Sequence, residues 1–284
     1  MAKVGFSNFS KMVNSIVNDG KQHIAVYRKN TTSATPIGVW FDLSMLGGFP
    51  RPNFYVGAQF ESTHYNSNYA LYTGPTPSAT SKKFLHKWSA MCGVNTVSTY
   101  LLDYLMFYPL IDGDDTAQQD LINLVSLPRY SDGVGVRAMA VFTGAHVGNV
   151  DCTISYTNEL GTPGQIVTTR FSNSGISSAL ATGASVLKNC NAPFFPLVSG
   201  DLGVRSVESV TMGGSAGGLI CIVLVKPIAH MGTLEAVTPR EVDLFIEKSI
   251  MPEIQDGACL NFIGLSPSSI ANQSFMGQVD LIWS

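Results

Sequence analysis

Val204-Arg205-Ser206-Val207-Glu208-Ser209-Val210-Thr211-Met212, Gly213-Gly214-Ser215-Ala216-Gly217-Gly218 and Leu219-Ile220-Cys221-Ile222-Val223-Leu224-Val225 run consecutively. The reading of this stretch decides the fold. The outer segments are rich in β-branched residues, which suit a pleated, half-buried surface. Four of the six residues between them are glycine, so the local pattern predicts a β-hairpin pairing Val204 to Met212 with Leu219 to Val225. Leu219 to Val225 is apolar at every position, and such a strand is expected to be buried on both faces, as at the centre of a sandwich.

Working outward, Val150, Cys152, Ile154 and Tyr156 alternate with polar neighbours, and the alternation resumes from Gln165 to Phe171 after the loop Asn158-Glu159-Leu160-Gly161-Thr162-Pro163-Gly164. Period two over that length marks half-buried strands, and Val150 to Phe171 reads as a second hairpin. Val136, Ala138, Ala140 and Phe142 alternate likewise, as do Trp88, Ala90 and Cys92. Val97 to Leu110 is a dense aromatic and aliphatic run. Before it, Asn30 to Thr80 is rich in Asn, Ser, Gly, Pro and aromatics and reads as turn-dominated chain, preceded by a strand-like piece from His23 to Tyr27.

Two helices are expected. Phe6, Phe9, Met12, Val13, Ile16 and Val17 recur at helical spacing with Gly20 beyond them, which predicts a helix over residues 7 to 18. Thr238, Pro239 and Glu241 supply an N-cap, a proline at the first helical position and a capping-box acid. Val242, Phe245, Ile246 and Ile250 give that second helix, near 239–250, an apolar face. The fold class is therefore mainly β: a β-sandwich of jelly-roll type, or a related barrel, with two short peripheral helices. The expected organisation is an N-terminal helix and strand arm over 1–30, an irregular aromatic, Asn, Ser and Gly-rich segment over 31–83, and a β-sandwich core over 84–284.

Composition narrows the function. Hydrophobic residues make up 45% of the 284, but charged residues only 13%, about half the usual share of roughly 25%. A neutral polar surface suits a chain packed against other proteins, because charge is depleted at interface cores. The formal net charge is −3 and the longest basic run is Lys82-Lys83, so nucleic acid is not an expected partner. Leu219 to Val225 is far shorter than the roughly 20 residues of a membrane helix, so no membrane partner is expected either. Met1 to Ser7 lacks the apolar core of a secretory signal. Cys92, Cys152, Cys190, Cys221 and Cys259 are odd in number and widely spaced, and read as reduced, buried small hydrophobes.

No motif carries catalysis. Gly213 to Gly217 fits the G-x-S-x-G pattern of a hydrolase nucleophile elbow, but a β-branched run follows where that chemistry needs a helix N-terminus under the serine. Asp112-Gly113-Asp114-Asp115 resembles the start of a calcium loop, yet the sixth position is Ala117 instead of Gly and the twelfth Asn123 instead of Glu. A surface turn capping Thr116 to Leu124 is the plainer reading. His23, His64, His86, His146 and His230 never fall at metal-ligand spacing. No cofactor or metal is expected. The aromatic and amide-rich stretch from Phe54 to Tyr72 suits a protein interface, or less readily a glycan bound by ring stacking.

Gly5-Phe6, Asn18-Asp19-Gly20-Lys21, Gly38-Val39-Trp40-Phe41-Asp42-Leu43-Ser44, Leu101-Leu102-Asp103-Tyr104-Leu105 with Tyr108-Pro109, Val125-Ser126-Leu127-Pro128-Arg129-Tyr130 and Gly203-Val204-Arg205-Ser206-Val207 together resemble a group of tailed-bacteriophage virion structural proteins. The resemblance runs from Gly5 to about Gly264 and rests on strand and turn sequences, not on chemical motifs. It implies a component of the virion, made in the host cytoplasm. The expected role is a non-enzymatic capsid decoration or cement protein. Its expected partners are the major capsid protein and itself, as a homo-oligomer with a trimer favoured. The alternatives are a neck, tail or receptor-binding protein, or a jelly-roll coat of another virus. A hydrolase comes last, since no acid/base pair or triad can be assembled. The interface candidates are Phe6, Phe9 and Met12 on the first helix and Phe49, Phe54 and Tyr55 in the irregular segment.

Overall fold

The computed structural model describes residues 5–30, 38, 40–144, 149–171, 193–268, 270 and 273–284. Helix α1 (Phe9–Val17) and strand β1 (Gln22–Asn30) come first, followed by β2 (Trp40–Asp42), β3 (Gly47–Phe49) and β4 (Thr63–His64) in the turn-dominated stretch. Then come β5 (Lys83–Cys92), β6 (Ser98–Asp112), β7 (Gln119–Asp120), β8 (Arg137–Phe142), β9 (Val150–Asn158) and β10 (Gln165–Phe171). The described order ends with β11 (Val204–Met212), β12 (Leu219–Gly232), β13 (Arg240–Asp243), α2 (Leu244–Lys248), β14 (Glu253–Ile254), β15 (Leu260–Leu265) and β16 (Ser274–Trp283).

These strands form three antiparallel sheets. One has the order β13-β5-β16-β1-β3 with β14 also on β5, one is β10-β9-β11-β7, and one is β2-β15-β6-β12-β8 with β4 also on β6. The last is the centre of the molecule. Its long strands β6 and β12 contribute Leu105, Tyr108, Ile111, Ile220, Ile222 and Leu224 to a core shared with β9, β10 and β11. Leu101 of β6 joins Phe262 of β15 in a second core, under Tyr27, Trp88 and Leu281 of the first sheet. The opposite face, with Tyr104, Phe107, Cys221, Val223 and Val225, is covered by Trp40, Tyr55, Tyr65 and Ala70 of the irregular segment. Each fully buried aliphatic or aromatic side chain here contributes about 1.5–3 kcal/mol. The mainly β, sandwich-type class and the two helices stand as expected.

Particular elements depart from the local reading. Ile220 to Val225 are fully buried on both faces, as the unbroken apolar run implies. However, Val204–Met212 does not pair with Leu219–Gly232. β11 lies between β9 and β7, whereas β12 lies between β6 and β8. The glycine loop is therefore an arch that crosses from one sheet to another. A run that is apolar on both faces needs a packed layer on each, and the central sheet supplies them: Ile220, Ile222 and Leu224 enter one core and Cys221, Val223 and Val225 another. The Val150 to Phe171 hairpin does form, with Gln165 opposite Tyr156 and Phe171 opposite Val150.

The first helix is capped by Asn8, whose Oδ1 accepts from Lys11 N at 2.9 Å. The second is shorter than its sequence suggests. Arg240–Asp243 pairs as a strand with Lys87 to Ala90 of β5, and Glu241 meets Lys87 at 3.1 Å across that ladder. Asp243, not Thr238, caps the helix through Ile246 N at 3.0 Å, and Glu247 Oε1 accepts from Asp243 N at 3.1 Å. The edge of β5 thus overrides the local helix signal. Thr116 to Leu124, after the Asp112 to Asp115 turn, holds the short strand β7.

One glycine is fixed by close approach. A Cβ on Gly277 would sit 2.0 Å from Ser89 O, in the row where Tyr27 donates to that same oxygen at 2.8 Å and accepts from Trp88 Nε1 at 3.1 Å.

Candidate functional site

The most developed surface feature lies along β1. Its inner residues Ala25, Tyr27 and Lys29 are buried, while Ile24, Val26 and Arg28 face out. β16 pairs with β1 along its full length on one edge, but on the other edge β3 pairs only with Arg28 to Asn30. Among the described strands, none continues that ladder beside residues 22–27. The uncovered edge forms a groove of about 390 Å³ that runs from His23 and Tyr72 to Arg28 and Phe49, floored by Ile24 and Val26. Tyr72 is held at one end, where its carbonyl is 3.0 Å from His23 Nε2 and the two rings meet edge-on at 5.1 Å. At the other end Phe49 lies opposite Arg28. Val26, Phe49 and Tyr72 are all more than half exposed.

A second apolar surface is made by the helices. Phe9 stacks on Phe245 at 5.9 Å, and Val13, Val17, Ile246 and Ile250 are exposed nearby in sequence.

The six interface candidates divide. Phe9, Phe49 and Phe54 are 61%, 54% and 61% exposed. Phe6 is half-buried because its ring packs on Phe84 at 5.7 Å. Met12 and Tyr55 are only 4% and 2% exposed and cannot form contact surface. Met12 lies on the inner stripe of α1. Tyr55 is drawn inward because its hydroxyl donates to buried Asp42 Oδ2 at 2.5 Å. Tyr65 is buried as well, so the aromatic stretch from Phe54 to Tyr72 mostly fills a core instead of offering ring faces. Ile24 and Val26 were not singled out from the sequence. The available signal was that Ile24, Ala25, Val26 and Tyr27 are apolar on both faces of a strand, with nothing in the sequence to show that the outer face stays uncovered.

Three polar clusters hold this architecture, two of them around fully buried carboxylates. Asp42 accepts from Tyr55 and Tyr104 hydroxyls (2.5 and 2.8 Å), from Ser44 Oγ at 2.7 Å and from Ser44 N at 2.8 Å. Burial raises its pKa against the pull of those donors. Nearby Lys29 is fully enclosed and donates to Pro50 O at 2.6 Å; burial lowers its pKa to about 8, opposed by Asp42. Asp103 receives Nε and Nη2 of Arg129 (2.9 and 2.7 Å) and Cys259 N (2.8 Å), with burial raising its pKa against the guanidinium. Asp201 accepts from Tyr156 at 2.6 Å and Asn158 at 2.8 Å, tying the loop before β11 to β9.

None of these is arranged for catalysis. Ser215 is exposed on the arch and donates to Asp114 Oδ1, which also accepts from Gly217 N at 3.0 Å. Gly113 N donates to Gly218 O at 3.0 Å and Ala216 N to Gly113 O at 2.8 Å. The Asp112 to Asp115 turn is therefore a clasp for the arch. Replacing Asp114 by Ala is expected to lower stability by about 1–2 kcal/mol, and adding calcium or a chelator to leave the parent's melting temperature unchanged. A calcium-dependent rise in melting would show that this turn binds the ion after all.

Among the described residues, no group of three His, Cys, Asp or Glu side chains is placed to hold a metal ion. Ser98 Oγ does meet His230 Nε2 at 2.7 Å, but the charge acting on that ring is Lys248, and together with burial it lowers the pKa. A nucleophile-base pair needs an acidic group to orient the imidazole and donors for an oxyanion, and among the described residues no carboxylate bonds the His230 ring. His23 and His64 contact carbonyl oxygens, and His86 lies 3.7 Å from Asp243. His146 and Cys190 lie outside the described residues. Cys92, Cys152, Cys221 and Cys259 are buried free thiols, as expected. No described helix is long and apolar enough to cross a membrane, which leaves strand-built spans untouched.

Fold and surface together define a mainly β protein of antiparallel sandwich type, with an uncovered apolar strand edge and no assembled catalytic constellation among its described residues. No protein-family model matches the chain, no curated protein matches it, and no solved structure matches its fold.

Proposed function

We propose that this chain is a non-enzymatic structural protein of a virus particle, most directly a capsid decoration or cement protein of a tailed bacteriophage. The observation that carries the reading is the uncovered apolar groove beside β1, with Ile24, Val26, Phe49 and Tyr72 at the surface. Contiguous exposed apolar area on a chain this poor in charge marks a surface meant for protein contact. The helix pair around Phe9 and Phe245 adds a second such surface. A protein that coats a shell gains its hold from many modest contacts multiplied by valency. The major capsid protein and further copies of this chain are the partners in this reading. The sequence resemblance to virion structural proteins supplies the viral context.

Quantitative mass spectrometry of purified particles, from the virus that encodes the chain, tests this. A copy number comparable with that of the major capsid protein is expected. A small fixed number per particle would move the chain to the neck or tail, and its absence from particles would sink the structural reading.

A further inference from the structure

We propose that the chain assembles head to tail, with the exposed Leu234 to Val237 turn of one copy seated in the β1 groove of the next. The inference deepens the self-association in the proposed function and rests on that reading only there. The two surfaces are complementary in chemistry. The groove is apolar and ends in Arg28, an exposed guanidinium whose recorded bonds are Nε to Asn30 Oδ1 at 3.2 Å and to Ser274 Oγ at 3.1 Å. The turn presents Leu234 and Val237, both well over half exposed, on either side of exposed Glu235. Neither Arg28 nor Glu235 is in an ion pair among the described residues.

The two surfaces are also placed for lateral contact. In the sheet β13-β5-β16-β1-β3 the groove lies at the β1 and β3 edge, and the turn leads into β13 at the other edge. Strand register puts them at the same level. Phe49 lies opposite Arg28, Arg28 opposite Met276, and Met276 opposite Met91. The turn is hooked to the very next residue, with Val237 N donating to Cys92 O at 2.8 Å. Its other end is held by Thr233 N donating to Val97 O at 2.9 Å. Each copy thus carries knob and groove at opposite ends of one row, the arrangement a heterologous, head-to-tail interface requires. Two different patches are used, so a twofold dimer is not the expected form.

The test is native mass spectrometry and sedimentation of the purified chain in the absence of particles, which separates this inference from particle binding. The parent is expected to form a head-to-tail oligomer larger than a dimer. Arg28→Glu and Glu235→Arg should each weaken assembly at least about tenfold, since like charges facing across an interface are costly. The double variant should restore it, with melting temperatures near the parent's confirming that each variant folds. Glu235 sits on an exposed turn, so its variant remains informative if Arg28→Glu fails to fold. A parent that stays monomeric, an oligomer indifferent to both reversals, or a double variant that does not recover would each overturn the proposal. Monomeric chains that nevertheless coat particles would leave the decoration role standing and this head-to-tail assembly refuted.

Discussion

Replacing Arg129 by alanine is expected to cost the fold about 3–5 kcal/mol, the scale of stranding a buried charge. Asp103 is completely buried on β6, and two of the three donors recorded on its carboxylate come from the Arg129 guanidinium. The same guanidinium reaches Tyr104 O at 3.0 Å, tying the chain after β7 to the central sheet. Urea unfolding should show the loss. Converting both Asp103 and Arg129 to apolar residues of similar volume is expected to cost less than the single change, because no lone charge is left behind.

The pH dependence follows from linkage. Burial already raises the Asp103 pKa in the parent, and Arg129 is the main group opposing it. Removing Arg129 raises it further. A carboxyl whose folded pKa exceeds its unfolded value takes up a proton on folding. Its contribution to stability therefore grows as pH falls from the folded value toward the unfolded one. The variant should recover part of its deficit on mild acidification, relative to the parent. A flat difference across that window, or a loss below about 1 kcal/mol, would mean that the pair is not the support its geometry indicates.

Asp42→Ala is the second large effect, also about 3–5 kcal/mol. It removes the carboxylate acceptor of the Tyr55 and Tyr104 hydroxyls, leaving them only Ser44 Oγ at 2.9 Å and Phe262 O at 3.3 Å, and leaves enclosed Lys29 without its nearby countercharge. The irregular segment should loosen first, because Tyr55, Ser44 and the Pro50 carbonyl all meet in this cluster. Hydrogen exchange over residues 40–56 would report it. In the parent, burial places the Lys29 pKa at about 8, and Asp42 is the group that holds it up. In the variant it drops further, so the unfolded chain binds more protons over a wider range. Stability should then rise more steeply with pH than in the parent. Exchange confined to the termini, with residues 40–56 unchanged, would contradict the clamp role.

Both clusters were invisible to local reading for the same reason. Nothing in Phe41-Asp42-Leu43 or Leu102-Asp103-Tyr104 says that a carboxylate there is buried. Their partners come from distant chain: Tyr104 for Asp42, Arg129 and Cys259 for Asp103. The groove was legible only in part. The strand from His23 to Tyr27 could be read from its residues, whereas the uncovered edge depends on how little of β1 is paired by β3.

By itself, the sequence determined that the protein is mainly β. It marked most of the longer strands, the Val150 to Phe171 hairpin, the capped first helix and the double-sided burial of Ile220 to Val225. These properties are local, set by side-chain alternation, capping and turn chemistry within a few residues. Only the tertiary structure decided strand partners. Ile220 faces Ile111 and Phe142, not the neighbouring strand across the glycine loop. Arg240 to Asp243 became an edge strand, while Met12 and Tyr55 turned inward and Phe9 and Phe49 stayed outside. Such choices depend on which distant surface is there to cover each face, and the alternation of a single strand carries no record of that surface.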